Sequence, residues 1–297
     1  MRLISIGDRA HIEVGAAAID VEIASGGRFP SDPQRLYEVW DELVAFANTQ
    51  SGLEGTPYRA ESLSSPVPRP AQVFAVGLNY VEHADESGFD KPAQPVIFTK
   101  FVSSITGPVT SVTLPEGHVD WEVELVVVLK AGGRSISAQD AWSHVAGVTV
   151  GQDLSERRLQ HSGPAPQFSL AKSHDGFSPI GPAVVTADEL GDIDDLALGA
   201  AINGEQVQAG RTSQLVFGVP SLIEHLSAVV ELYPGDVIFT GTPSGVGAGR
   251  KPPRFLAVGD VLTSWIDGVG ELRQTFVDRH AEVESQNGQI LTTRMSR

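Results

Sequence analysis

The segment Asp120-Trp121-Glu122-Val123-Glu124-Leu125-Val126-Val127-Val128-Leu129 places two carboxylates two residues apart at the head of an apolar, largely β-branched run. Successive side chains of a strand point to opposite faces, so Glu122 and Glu124 share one face, within about 7 Å of each other at a rise of roughly 3.3 Å per residue. Such a pair beside a buried strand repels itself unless a cation, a proton or arginines neutralise it. A second apolar run, Val145 to Gln152, ends at Asp153, a third carboxylate at the point where a strand gives way to a turn. With no cysteine in the chain, three carboxylates make a hard oxygen site. That donor set suits Mg²⁺ or Mn²⁺, which accept carboxylates plus waters and leave positions for a chelating substrate. The same alternation also suits the wet side of an antiparallel strand, and spacing alone leaves both readings open.

Other residues could act beside such a site. His83 and Glu86 stand at i, i+3 in Asn79-Tyr80-Val81-Glu82-His83-Ala84-Asp85-Glu86, where a helical turn would make them neighbours. A carboxylate beside an imidazole fixes its tautomer and raises its basicity, which suits a water-activating base; a plain surface helix is the alternative. The polar stretch Ser87 to Pro92 that follows could carry the pair on a lid. Lys172, in Ala171-Lys172-Ser173, could offer an ammonium to a substrate oxygen or be an ordinary surface lysine. After the run Val237-Ile238-Phe239, the glycines of Thr240-Gly241-Thr242-Pro243-Ser244-Gly245-Val246-Gly247 expose backbone N–H groups able to hold an anion, or form a simple turn. The spacing is not that of a phosphate-binding P-loop.

The elements that must position these groups are mostly strands. Runs at Val73 to Val76, Val96 to Thr99, Val109 to Leu114, Trp121 to Leu129, Val145 to Gln152, Val184 to Val185, Leu198 to Ile202, Val237 to Thr240 and Val261 to Ile266 are separated by turn residues. Helical spacing is clearest over Pro220 to Val230, and the strand–helix alternation of a doubly wound sheet is missing. Ahead of them, Leu3 to Ile6, Ala10 to Val14 and Ala18 to Ile23 read as short strands, and Asp32-Pro33 opens an amphipathic helix with Leu36, Val39, Trp40, Leu43, Val44 and Ala47 on its apolar side. The Ser-, Pro- and Gly-rich stretch from Thr49 to Gln72 reads as a connection. The chain thus divides into a small α/β N-terminal domain, 1–68, a strand-dominated α+β domain, 69–280, and a polar tail, 281–297.

Composition narrows the partners. A formal charge of −16, from 21 Lys plus Arg against 37 Asp plus Glu, repels phosphate backbones and anionic lipid, so neither nucleic acid nor membrane is an expected partner. No window approaches the roughly 18 apolar residues of a membrane span, and the opening lacks the pattern of a signal peptide, so a cytoplasmic location is expected.

Taken in order, GLNYVEHADE, PVIFTK, DWEVELVVVL, GQDLSERRLQ, LAKSHDGFSPIGP, INGE and PGDVIFTGTPSGVG resemble the fumarylacetoacetate hydrolase family over roughly residues 70 to 278. The resemblance implies a mixed β-roll or β-sandwich catalytic domain, mostly β, usually in a homodimer. It implies Mg²⁺ or Mn²⁺ on Glu122, Glu124 and Asp153, a water-activating dyad of His83 and Glu86 on a mobile lid, and Lys172, Arg157 and Gln160 steadying substrate oxygens. Thr242, with Gly241 beside it, resembles the receiver of the substrate carboxylate. The implied activity is hydrolysis of a C–C bond in an acylpyruvate-type (2,4-dioxo acid) substrate through an enolate at the metal. Decarboxylation of an oxaloacetate-type acid and isomerisation of a 2-hydroxy-diene-dioate are the enzymatic alternatives. A non-catalytic protein whose carboxylates hold a structural ion is a remote one, since such an ion needs neither a base nor Lys172. Two departures bear on the substrate: Glu156-Arg157-Arg158 stands where many members have Ala-Arg-Asp, and His174 lies between Ser173 and Asp175.

Overall fold

The structure, a computed structural model, describes residues 1–50, 55–82 and 92–278. The predicted dyad of His83 and Glu86 lies outside the described residues, as do most of the predicted lid and the polar tail.

The apolar runs assemble into a 12-stranded mixed sheet and a five-stranded sheet, with one two-stranded ribbon. The strand Val123–Leu129 lies between Val145–Gln152 and Val237–Phe239, both antiparallel to it, so it has a partner on either edge. All seven of its residues are buried. Alternation divides them: Leu125, Val127 and Leu129 join one core, while Val126 and Val128 join another. The run is continuously apolar because the sheet is covered on both faces.

One cover is the five-stranded sheet, in the order Glu205–Arg211, Ala197–Ile202, Val261–Ile266, Gly270–Val277 and Val109–Thr113. Its Leu198, Leu262, Leu272 and Phe276 pack with Leu125 and Val127 in the first core, as do Leu222, Ile223 and Leu226 of the helix Val219–Ser227. The other cover comes from the N-terminal residues. Leu36, Tyr37, Trp40 and Leu43 are buried with Val126, Val128, Ala146 and Val184. Asp32 caps the start of this segment by accepting from the Gln34 N–H. The predicted helix there is a 3₁₀ helix over Pro33–Val39 that passes into an α-helix over Trp40–Thr49.

The N-terminal strands do not form a sheet of their own. Arg2–Ile6 pairs with Ser178–Val185, and Arg9–Val14 and Ala17–Asp20 extend the sheet outward from it. The predicted third strand is shorter than expected, because a one-turn helix over Val21–Ala24 begins where Asp20 caps Ile23. Among the described residues, no helix is long and apolar enough to cross a membrane.

Candidate metal centre and substrate cavity

Glu122 and Glu124 sit at the N-terminal end of the strand Val123–Leu129, and Asp153 follows the antiparallel strand Val145–Gln152, so both strands deliver carboxylates to the same edge of the sheet. The Asp153 N–H donates to the Glu122 carbonyl at 2.9 Å, which joins the two strand ends. One ligand oxygen from each of Glu122, Glu124 and Asp153 lies within 4.8 Å of the others, and all three residues are buried. Their exposures of 5%, 1% and 0% exclude the solvated-face reading that spacing had left open.

Two buried amides hold the carboxylate segment where the regular ladder ends. Gln152 accepts from the Glu122 N–H at 2.9 Å and donates to the Ser264 hydroxyl at 2.8 Å. Gln208 accepts from the Val123 N–H at 3.0 Å and donates to the Thr242 Oγ1 and the Pro243 carbonyl. Neither glutamine has a sequence signal of its own, since each is recognised only by what lies across the fold.

Cations surround the acids. Lys172 Nζ donates to Glu122 Oε2 at 2.7 Å and to Asp153 Oδ2 at 2.5 Å. Burial works against its charge, but Asp153 and Glu122 outweigh that and hold its pKa above the usual lysine value. Arg157 bridges Asp120 and Glu122 Oε1, and its Nη1 donates to Gln160 Oε1 at 3.0 Å. Lys100, fully enclosed, contacts Asp153 Oδ1 and the carbonyls of Lys172 and Phe177.

Glu124 is the exception. Among the described residues no cation lies in salt-bridge contact with it, and Oε2 accepts from the Gly241 N–H at 2.7 Å. Burial, reinforced by repulsion from Asp153 and Glu122, pushes its pKa well above the ordinary carboxyl range. Counted formally, Asp120, Glu122, Glu124 and Asp153 face Lys100, Arg157 and Lys172, leaving one negative charge in excess. Lys172 shows where a cation is welcome, since its ammonium already bridges two of the ligand oxygens. The donor set and charge therefore fit a divalent ion.

Glu122 and Glu124 open onto a cavity of about 180 Å³, below the roughly 300–1,000 Å³ of drug-sized sites, with Asp153 behind them. Its polar wall holds Glu122, Glu124, Arg157, Gln160, Lys172 and Thr242; Val76, Leu78, Phe168 and Val246 form the apolar one. The sequence-predicted substrate groups are thus together, with two differences. Gly241 does not line the cavity: its N–H is spent on Glu124. Gly241 has φ +102°, and a Cβ there would stand 2.7 Å from Asn79 Cβ, so only glycine fits this approach. The Thr242 hydroxyl donates to the Val123 carbonyl, so its one proton is engaged.

The two departures also find places. Glu156, buried, accepts from the N–H groups of Arg158 and Leu159 and from that of His118. It thereby caps the one-turn helix Arg157–Gln160 that carries both cavity residues. Although partial burial works the other way, these donors hold its pKa below the usual range. Arg158 is exposed and does not line the cavity, so it adds no cation there. His174 packs its ring 4.8 Å from that of Phe177.

Asp120, which the sequence reading passed over, is fully buried and accepts from Arg157, the Gly247 N–H at 2.6 Å and the Ala248 N–H at 2.9 Å. It ties the arginine to the loop beneath the cavity.

A mostly β α+β fold with an acidic triad on such a cavity defines the class: residues 72–277 match the fumarylacetoacetate hydrolase C-terminal domain, and the chain belongs to that family of enzymes. Among its relatives, human "Oxaloacetate tautomerase FAHD2A, mitochondrial" is 49% identical over 208 residues, 69% of this chain and 66% of the relative. The Xenopus laevis counterpart is 39% identical over 273 residues, 87% of this chain and 86% of the relative. The matched segment thus spans about two thirds of the human relative's length.

Solved structures agree. A provisionally assigned HpcE protein from Mycobacterium smegmatis, 62% identical, superposes with a TM-score of 0.90 over 94% of this chain and 100% of its own. Maleylpyruvate hydrolase from Sphingobium sp. SYK-6, in complex with manganese(II) and pyruvate, is 30% identical with a TM-score of 0.78 over 94% of this chain and 99% of its own.

Proposed function

We propose that the protein is a divalent-metal-dependent enzyme that converts small 2-oxo acids through an enolate, hydrolysing the C–C bond of an acylpyruvate-type substrate. The observation that carries the reading is the buried triad of Glu122, Glu124 and Asp153, which together with Asp120 exceeds its three cations by one charge, beside a small cavity lined by Glu122 and Glu124. A divalent ion held by the triad supplies a Lewis acid that polarises the 2-oxo carbonyl.

The chain's own residues do the rest. Lys172 lines the cavity with an ammonium which, moved off the ligand oxygens when the ion enters, is placed to stabilise negative charge that develops on the substrate oxygen. Arg157 and Gln160, joined by a hydrogen bond on one capped helical turn, present their polar ends to the same wall and orient the acid. Thr242 receives the substrate carboxylate once its bond to the Val123 carbonyl is exchanged. His83 and Glu86 are assigned as the water-activating pair on their sequence spacing and family resemblance. The Phe168 and Val246 side chains exclude water from the apolar wall, which strengthens each of these interactions.

A second reading, tautomerisation of oxaloacetate, is favoured by the names of the relatives at 39–49% identity. Both readings are tested by one panel: acetylpyruvate, fumarylpyruvate, oxaloacetate and a 2-hydroxy-diene-dioate, each with Mg²⁺, with Mn²⁺ and with EDTA. Metal-dependent release of pyruvate from an acylpyruvate supports hydrolysis, and its loss in His83→Ala supports the dyad. Enol–keto interconversion of oxaloacetate without bond cleavage replaces hydrolysis by tautomerisation. No metal-dependent change in any of the four removes the proposal.

A further inference from the structure

Each carboxylate of the triad has one oxygen already claimed by the protein. Glu122 Oε1 is held by Arg157 at 2.7 Å and Glu124 Oε2 by the Gly241 N–H at 2.7 Å, while Asp153 Oδ1 is held by Lys100. The remaining oxygens of Glu122 and Asp153 are those bridged by Lys172. The two lysines differ in what can move them. Lys172 lines the cavity and has open space beside it. Lys100 has a fully enclosed side chain, does not line the cavity, and spends its three N–H bonds on Asp153 and the carbonyls of Lys172 (2.5 Å) and Phe177 (3.3 Å), with the Phe239 ring 5.6 Å from its nitrogen. An entering cation can displace Lys172; it cannot displace Lys100 without taking the donor from the buried Lys172 carbonyl, since the Phe177 carbonyl also accepts from the Leu154 N–H.

We propose that Lys100 is a positioning residue that restricts Asp153 to a single free oxygen and thereby sets the centre's preference for Mg²⁺ and Mn²⁺ over Ca²⁺. The inference rests on the reading of the triad as a divalent-metal centre. Ca²⁺ takes roughly six to eight oxygens and commonly uses both oxygens of a carboxylate, whereas Mg²⁺ takes six in tight octahedral array. Three acids that each offer one oxygen supply half of an octahedron and leave the other half for a small chelating acid and water. A centre that could add the second oxygen of Asp153 would meet the larger ion's demand. Lys100 forbids it, and from outside the substrate cavity, so its effect falls on the ion and not on substrate contacts.

The test is calorimetric titration of the full, chelator-stripped chain with Mg²⁺, Mn²⁺ and Ca²⁺, as wild type, Lys100→Gln and Lys100→Met. Glutamine keeps a donor for the carbonyls and loses the charge; methionine removes both. The wild type is expected to bind Mg²⁺ and Mn²⁺ more tightly than Ca²⁺. In either folded variant the ratio of Ca²⁺ to Mg²⁺ affinity should rise by about tenfold or more, the range in which residues behind metal ligands act. An unchanged ratio in a folded variant, or a wild type that prefers Ca²⁺, overturns the assignment. Should neither variant fold, a crystal structure of the Mn²⁺-loaded wild type decides: Asp153 bound through one oxygen with Lys100 on the other supports it, and both oxygens on the ion overturns it. The ratio is read without turnover. An unchanged ratio in a chain that still converts 2-oxo acids removes only the role of Lys100, and a shifted ratio in a chain that converts none removes only the proposed reaction.

Discussion

Glu124 is held against its charge by burial and two neighbouring carboxylates, and the consequences can be measured without a substrate. Its folded-state pKa lies above the 4.5 of a free glutamate because burial and two neighbouring carboxylates oppose its charge. The folded protein therefore binds that proton more tightly than the unfolded chain does. The stabilisation is fully present below about pH 4.5 and is lost as pH rises through the folded-state value, at up to about 1.4 kcal/mol per pH unit for one proton. In EDTA, the melting temperature is expected to fall as pH rises above the ordinary glutamate range, and saturating Mg²⁺ should flatten that slope. Glu124→Gln should lose both the slope and the Mg²⁺ response, while melting no lower than the wild type in EDTA at neutral pH. A wild-type slope that survives Mg²⁺ would argue against this carboxyl as a ligand. At this scale the triad was legible, because strand alternation puts Glu122 and Glu124 on one face and Asp153 ends the apolar run Val145 to Gln152, with family resemblance joining the three as ligands. Lys100 was not. It lies 53 residues from Asp153 in sequence, and nothing in Thr99-Lys100-Phe101 separates an enclosed ammonium from a surface one.

Among the elements, a short one carries a large share of the site: a single helical turn, Arg157–Gln160, presents two cavity residues. A helix this short has almost no cooperativity of its own and depends on its cap. Glu156→Ala is expected to cost about 1 kcal/mol and lower the melting temperature by roughly 2–4 °C. Because Arg157 and Gln160 then lose their fixed placement, KM should rise several-fold while kcat changes less; unaltered KM would show that the cap does not position the pair. The strands show what patterning can and cannot reveal. Val96–Thr99, Val145–Gln152 and Val261–Ile266 match their apolar runs residue for residue. Glu205–Arg211 and Gly270–Val277 went unpredicted because glutamine, arginine and glutamate interrupt their apolar residues. Their partners in the five-stranded sheet supply the burial that their own composition does not announce.

For the whole molecule, the continuous central sheet is the fact that the sequence least revealed. The Ser- and Pro-rich stretch after Thr49 suggested two separate units, but pairing of Arg2–Ile6 with Ser178–Val185 links residues more than 170 positions apart, which no local pattern encodes. Phe101, Val102 and Leu170 remain 51%, 46% and 65% exposed, and the bond from the Phe101 N–H to Ser173 Oγ brings the first two beside the segment that carries Leu170. We expect a second copy of the chain to cover them, giving a homodimer by light scattering, with Leu170→Asp shifting it toward monomer; a wild-type monomer at micromolar concentration would remove that expectation.

The candidate ligand carboxylates stand at the ends of two strands whose every residue is buried, whereas three of the four apolar residues that line the cavity, Leu78, Phe168 and Val246, belong to connections and a one-turn helix outside that sheet. On the proposed function, the part of the protein that performs the chemistry is thus inherited with the core, and most of the apolar wall that would choose the acid is not. Descendants of this chain could exchange one small acid for another through a few substitutions in the connections, with the sheet, its charges and its reaction left as they are.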